Sequence, residues 1–263
     1  LLTDADTDSR FAYVYVIGGI DPSRPVYRNF LYNVLINTSI MRKAGSKATV
    51  IVLVQMMRSA KSTSLPESDL AMLASINIQV RYIPSAKTDV TEGFASLMMD
   101  RLSHVLTLDE FERVLYLDAD VFLRGSLDYL LDQSIKGILK KNVVFAGRHI
   151  PAMGSVFVAA PSSDYKSRLE ILRNGTWDET NGWGHAFEAA DYYELLNGQK
   201  NSYWDFVDAS SDQGLLYHMV KYESKSVSIV LQESIQNWEA DDPTGSVQLE
   251  ETLPLDILGS HYY

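Results

Sequence analysis

The chain has 263 residues, 46% of them hydrophobic and 22% charged, enough apolar material for a sizeable core and too much for wholesale disorder. With 23 Lys and Arg against 34 Asp and Glu the net charge is −11, which argues against a nucleic-acid duplex or an anionic membrane as main partner, because either rewards a basic face. There is no cysteine, so disulfides, thiolate metal sites and cysteine nucleophiles are excluded.

After a polar lead-in, LLTDADTDSR, apolar runs alternate with amphipathic segments. Phe11 to Ile17 reads as a buried strand ended by Gly18 and Gly19. A helix follows with Tyr27, Phe30, Leu31, Val34, Leu35 and Met41 on one face and Gly45 as its stop. Thr49 to Val54 is the second strand. Ser64 and Glu67 have capping-box spacing and open a helix that ends near Ile76. Ile78 to Ile83 is the third strand, Phe94 to Leu106 a helix, and Arg113 to Leu117 the fourth strand. This order, with strands apolar on both faces, predicts a parallel sheet covered by helices on each side.

Beyond residue 125 the pattern loosens. Val143 to Ala146 and Val156 to Ala160 read as strands, and Tyr165 to Leu172 and Asp212 to Tyr222 as helices. Asn174 to Ser211, rich in Trp, Tyr, Asn and Gly, suits a long functional loop region. Its tryptophans are either a platform for a sugar acceptor or aromatics buried by the loop. No linker separating two domains is visible. The longest apolar stretch, around Ala48 to Met57, is about half the ~20 residues that span a bilayer, so no membrane span is expected. The sequence opens at Leu1 with no cationic leader; the expectation is a fragment, or a chain from which a leader or anchor has been cut. Sequons stand at Asn37 and Asn174, the first inside a predicted helix, and they do not settle the compartment.

The segment Val114-Leu-Tyr-Leu-Asp118-Ala-Asp120-Val-Phe carries the chemistry. Strand residues two apart share a side, with Cα atoms ~6–7 Å apart. Asp118 and Asp120 at the end of a buried parallel strand then reach one small hard cation, in the place where open α/β sheets bind ligands. Two carboxylates suit Mg²⁺ or Mn²⁺ and leave positions open for phosphate oxygens. The alternative is a solvated turn whose aspartates cap the next helix.

LYLDADVFLRGSLDYLL, residues 115–131, resembles the metal-binding segment of the family-eight glycosyltransferases, the glycogenin-like group. The resemblance extends weakly from Phe11 to His261. It implies a GT-A fold, an α/β architecture with a Rossmann-like, mostly parallel central sheet flanked by helices and a smaller acceptor-side α+β portion. It implies one domain over residues 1–263, with 11–125 the nucleotide-binding half and 126–263 the acceptor and sugar-binding half. The implied reaction moves a hexose from a UDP-sugar to a hydroxyl of a glycan, protein or small molecule, with retention of configuration and with Mn²⁺ or Mg²⁺. A homodimer and a cytoplasmic location go with that reading, or the Golgi lumen if an N-terminal anchor was removed.

Residue by residue, the resemblance gives Asp118 and Asp120 to the metal, with Ala119 between them beside the donor. YVYVIGGIDPSRPVYRNF, residues 13–30, sits where the family binds uracil and ribose: Tyr15 and Val16 contact the base, and Tyr27 stacks on it or is a core aromatic. Ser211-Asp212-Gln213-Gly214 resembles the family's D-Q-G segment, so Asp212 binds sugar hydroxyls and Gln213 lies by the anomeric carbon. The same stretch also reads as an ordinary helix cap. Arg101 aligns with a lysine that contacts donor phosphate or sugar, and a surface arginine is the other reading. His261 resembles the histidine that completes the metal site, against a merely exposed terminal histidine.

Two departures stand out. The family's Lys-Pro-Trp beyond that histidine does not occur before Tyr263, so the piece is truncated or another cation, Arg148 or Lys200, takes the lysine's part. The family's Asn-Ser-Gly reads Ala152-Met153-Gly154-Ser155, without the sugar-binding amide. Two other functions compete. One is a catalytically impaired member that binds nucleotide-sugar or glycan. The other is a haloacid-dehalogenase-type phosphatase, which would need Thr or Val where Phe122 stands.

Overall fold

In the computed structural model the described residues are 8–85, 90–146, 150–175, 177–187, 204–231 and 255–256. The strands are β1 (Asp8–Ile20), β2 (Ala48–Met56), β3 (Ile78–Ile83), β4 (Arg113–Leu117), β5 (Phe122–Leu123), β6 (Asn142–Ala146), β7 (Val156–Ala159), β8 (Val227–Leu231) and β9 (Leu255–Asp256). The helices are α1 (Arg28–Lys43), α2 (Glu67–Ala74), α3 (Val90–Leu106), α4 (Asp128–Ile135), α5 (Tyr165–Asn174) and α6 (Asp212–His218), the last continued by a π-helical turn, Met219–Glu223.

Seven strands form one sheet in the order β3-β2-β1-β4-β7-β6-β8. β3, β2, β1 and β4 are mutually parallel, as are β6 and β8; β7 runs antiparallel to both its neighbours. The alternation of side chains along β1 and β4 divides the core. Tyr13, Tyr15, Ile17, Leu115 and Leu117 face α1, α2 and α4. Val14, Val16, Val114 and Tyr116 face α3 and α6 through Met99, Leu102, Val105, Leu215 and Leu216. Among the described residues no helix is long and apolar enough to cross a membrane.

Several local expectations are revised. β1 does not stop at Ile17. It passes a bulge at Gly19, whose φ of +68° suits glycine, and pairs Ile20 with Met56. Helix α2 opens at Pro66 and not at a Ser64 cap, since the fixed φ of proline fits the entry to a helix while Ser64 lies two residues too early. It ends at Ala74, near the expected Ile76. The predicted helix from Asp212 to Tyr222 is present, α-helical to His218 and π-helical from Met219. Asn37 is fully buried on α1, where Nδ2 donates to the Val121 carbonyl at 2.7 Å and Oδ1 accepts from Leu123 N–H at 2.9 Å. That amide is structural.

Candidate active site at the end of strand β4

The strand β4 ends at Leu117, and the chain then turns sharply, Val121 N–H donating to the Asp118 carbonyl at 3.0 Å. Asp118 and Asp120 are thus the first and third residues of a turn and not two residues of a continuing strand. Asp118 is half-buried and Asp120 exposed. Ala119 between them is packed into the α1-side core. The Asp118 amide donates to the Ser155 carbonyl at 2.8 Å, which fixes the turn against the segment leading into β7.

Tyr116 stands two residues before Asp118 and shares its side of the strand. Its hydroxyl donates to Asp118 Oδ1 at 2.6 Å, and its ring stacks on Phe157 at 4.9 Å. Burial pushes the Asp118 carboxyl up to about 7, the charges of Asp120 and Asp212 add to the rise, and the Tyr116 hydrogen bond and Arg101 oppose it. Burial likewise raises Asp212, with Asp208 adding to it and the Ser211 hydroxyl opposing. A site that gathers carboxylates and withholds water from them favours either protons or a cation. The donor set, the carboxylate oxygens of Asp118 and of the exposed Asp120, is of the kind that fits a hard divalent ion.

Arg101 comes to the same place from α3. It crosses above Gly18, where a Cβ would run into its guanidinium. Its Nε donates to Gln55 Oε1 at 3.1 Å, while Gln55 Nε2 reaches the Pro84 carbonyl and Asp100 Oδ2. Burial draws its pKa down, against Tyr116, Asp118, Asp100 and Asp212 nearby. Apart from Gln55 its one other hydrogen bond among the described residues is a 3.6 Å contact with the Met98 sulfur. The guanidinium therefore retains donors for an anion.

Helix α6 brings Asp212 in its first turn. The Ser211 hydroxyl does not cap the helix but donates to Asp212 Oδ1 at 3.0 Å. Gln213 is buried, its Nε2 donating to Asp208 Oδ2 at 3.0 Å. Gly154 faces them, and a Cβ there would lie 2.7 Å from Asp212 Oδ2. A cavity of about 10 Å³, space for about one water, is bounded by Arg101, Tyr116, Gly154 and Asp212.

The structure thus gathers Arg101, Asp118, Asp120 and Asp212 with Gln213 beside them. It does not bring Tyr15 or Tyr27 there. Tyr15 is fully enclosed on the opposite face of the sheet, mid-strand because β1 runs on to Ile20. Tyr27 is a core residue whose hydroxyl donates to Asp69 Oδ2 at 2.6 Å. Val16 shares the Tyr116 side of the sheet but is covered. His261, Arg148 and Lys200 lie outside the described residues. Trp183 and Trp204 are buried in the core, their indole N–H groups donating to the Ala209 and His185 carbonyls. Sequence reasoning missed Tyr116 and Gly154; the two-residue strand period before Asp118 was the available signal for the first.

No protein-family profile and no curated protein sequence matches the chain. Among solved structures, the chain is similar to the galactosyltransferase LgtC in complex with donor and acceptor sugar analogues, with a TM-score of 0.51 and 12% identity over 93% of this chain and 85% of LgtC. The bifunctional glycosyltransferase WbbM matches with a TM-score of 0.42 and 11% identity, over 64% of this chain and 35% of its own. The glycosyltransferase GlyE of Streptococcus pneumoniae gives 0.44 and 14%, over 87% of this chain and 46% of GlyE. The LgtC match, with a mostly parallel seven-stranded sheet flanked by helices, shows the fold of this chain to be the GT-A fold of glycosyltransferases.

Proposed function

We propose that the chain is a divalent-metal-dependent, retaining glycosyltransferase that moves a hexose from a UDP-sugar to a hydroxyl acceptor. The observation that carries this is the gathering of charge at the carboxyl end of β4, where Asp118 feels both Arg101 and Asp212 and the latter two bound one small cavity with Tyr116 and Gly154. Residues 11–125 then form the nucleotide-binding half and 126–263 the acceptor half of one domain.

Asp118 and Asp120 would hold Mn²⁺ or Mg²⁺, with His261 as a further ligand. When bound, the ion supplies positive charge to the departing diphosphate. Arg101 donates to diphosphate or sugar oxygens, and Asp212 accepts from sugar hydroxyls. Tyr116 holds Asp118 in one orientation. The acceptor oxygen bonds to the anomeric carbon on the face from which UDP departs, the carbon–oxygen bond to phosphate breaks, and the acceptor proton passes to the leaving phosphate. This same-face route is favoured because Gln213, tied to Asp208 through its Nε2, is an amide and a poor nucleophile. With Tyr15 and Tyr27 enclosed, the base is seated in the open cleft of about 270 Å³ beyond β2 and β3, lined by Met57, Arg58, Tyr82 and Pro84.

The test is UDP release from UDP-glucose, UDP-galactose, UDP-xylose and UDP-N-acetylglucosamine, with Mn²⁺ and with EDTA. Release from one donor, abolished by EDTA and by Asp120→Asn, is expected. No release from any donor by the full-length chain overturns the reading. A second reading, binding without turnover, is favoured by Met153, which packs on the core where the family has a sugar-binding amide. Calorimetric binding of a UDP-sugar with no UDP released selects it.

A further inference from the structure

The far end of α6 carries a second cluster. His185, His218 and Glu223 each bring one ligand atom to within 4.8 Å of the others. His218 is fully buried; its Nε2 lies 3.0 Å from Glu223 Oε1, and its Nδ1 has no hydrogen-bond partner among the described residues. The His185 ring is 5.1 Å from that of His218 and lies flat on Tyr222 at 4.8 Å.

The backbone is shaped to make this cluster. Along an α-helix, residues five apart point about 140° away from each other. Here the helix changes to a π turn at Met219–Glu223, with Ser224 N–H donating to the Met219 carbonyl at 2.8 Å. The wider π turn, with its i to i+5 hydrogen bond, brings residues five apart closer to one side than an α-helix does, and His218 meets Glu223. Such turns recur at functional sites.

We propose that His185, His218 and Glu223 bind a divalent transition-metal ion of the Zn²⁺ class, at a site separate from the aspartate turn. Two imidazoles and a carboxylate are the donor set of a borderline-soft ion, and three protein ligands leave a fourth position for water. Arg168 also pairs with Glu223, its Nε at 2.7 Å and Nη2 at 2.6 Å, both on Oε1. A carboxylate has about four lone-pair directions, so Oε2 stays available, and Arg168 holds the carboxylate in place as outer partners of metal ligands do. His218 closes the helix that begins with Asp212, ~9 Å away by helical rise. The ion therefore fastens the loop bearing His185 to the helix that presents Asp212. The proposal stands whether or not the chain transfers sugars.

The competing account is an Arg168–Glu223–His218 network that only closes the helix end. His185 has no part in its hydrogen bonds, so the substitution His185→Phe, which keeps the stacked ring, separates the two. The experiment uses the full chain carrying Asp120→Asn, stripped with EDTA and titrated with Co²⁺, then Zn²⁺. One equivalent of Co²⁺ with the intense visible bands of a four-coordinate nitrogen and oxygen site is expected, displaced by Zn²⁺. His185→Phe should weaken binding at least about tenfold and abolish the rise in Tm that Zn²⁺ gives, with Tm in EDTA unchanged. No Co²⁺ bands, or equal binding by the His185→Phe chain, overturns the proposal.

Discussion

The Tyr116 hydroxyl lies 2.6 Å from Asp118 Oδ1, donated from a ring wedged against Phe157. This hydrogen bond orients a carboxylate from inside the core. Tyr116→Phe keeps the ring and removes the donor. It should raise the Mn²⁺ concentration needed for half-maximal UDP release about tenfold, as loss of an outer partner does elsewhere, with a smaller change at saturating Mn²⁺. Metal titrations of the two chains check it, and identical curves would deny Tyr116 any positioning role.

Gly154 and Asp212 approach so closely that a methyl group has no room, the added carbon lying 2.7 Å from Oδ2 and 3.3 Å from Gln213 Cγ. Gly154→Ala should push the Asp212 carboxylate aside, by on the order of 1 Å, while leaving the fold intact. A misplacement of that order costs about 100-fold in turnover. The measurement is kcat beside a circular-dichroism spectrum, which should be unchanged.

Asn37 fastens the chain just after the aspartate turn, bonded to Val121 and Leu123. Asn37→Ala leaves a buried carbonyl and a buried amide without partners, at ~1–3 kcal/mol each. Urea unfolding should report a loss of about 2–6 kcal/mol. The enclosed amide also rules out a glycan at Asn37, so peptide mapping from a glycosylating host should find that site bare.

Tyr27 holds its proton against Asp69, and burial followed by that carboxylate pushes the phenol up to about 12. The native value exceeds the ~10 of a free tyrosine. The associated stability is whole below pH 10 and is lost as pH rises to about 12. Between those limits the parent chain should lose up to about 3 kcal/mol more than Tyr27→Phe. Alkaline unfolding followed by fluorescence measures the difference.

The first half of the fold was legible because β1 to β4 are apolar on both faces and are set apart by glycine, proline and amphipathic helices. β8, VSIVL, escaped because it is a half-covered edge strand with no amphipathic signal of its own. Asp118, Asp120, Arg101 and Asp212 were nameable, the first two from strand logic and the others from resemblance. Their meeting was not, since it depends on where α3 and α6 cross the sheet. Tyr15 misled because an aromatic near a strand end reads the same whether its ring meets a ligand or a helix, and for Tyr27, at the start of α1, the core alternative is the one the structure shows. The π turn left no trace, because one extra residue per turn changes no residue type.

The antiparallel strand β7 separates β4 from β6, and through Ser155 it braces the aspartate turn. During synthesis on the ribosome, β4 emerges some forty residues before the strand that covers its open side. Until β7 arrives, the growing chain presents an unprotected, largely apolar border with free amide and carbonyl groups, the kind of border on which chains stick to one another. A nascent chain halted before residue 156 should therefore be prone to clumping, and its aspartate turn, lacking a brace, would be without a fixed shape.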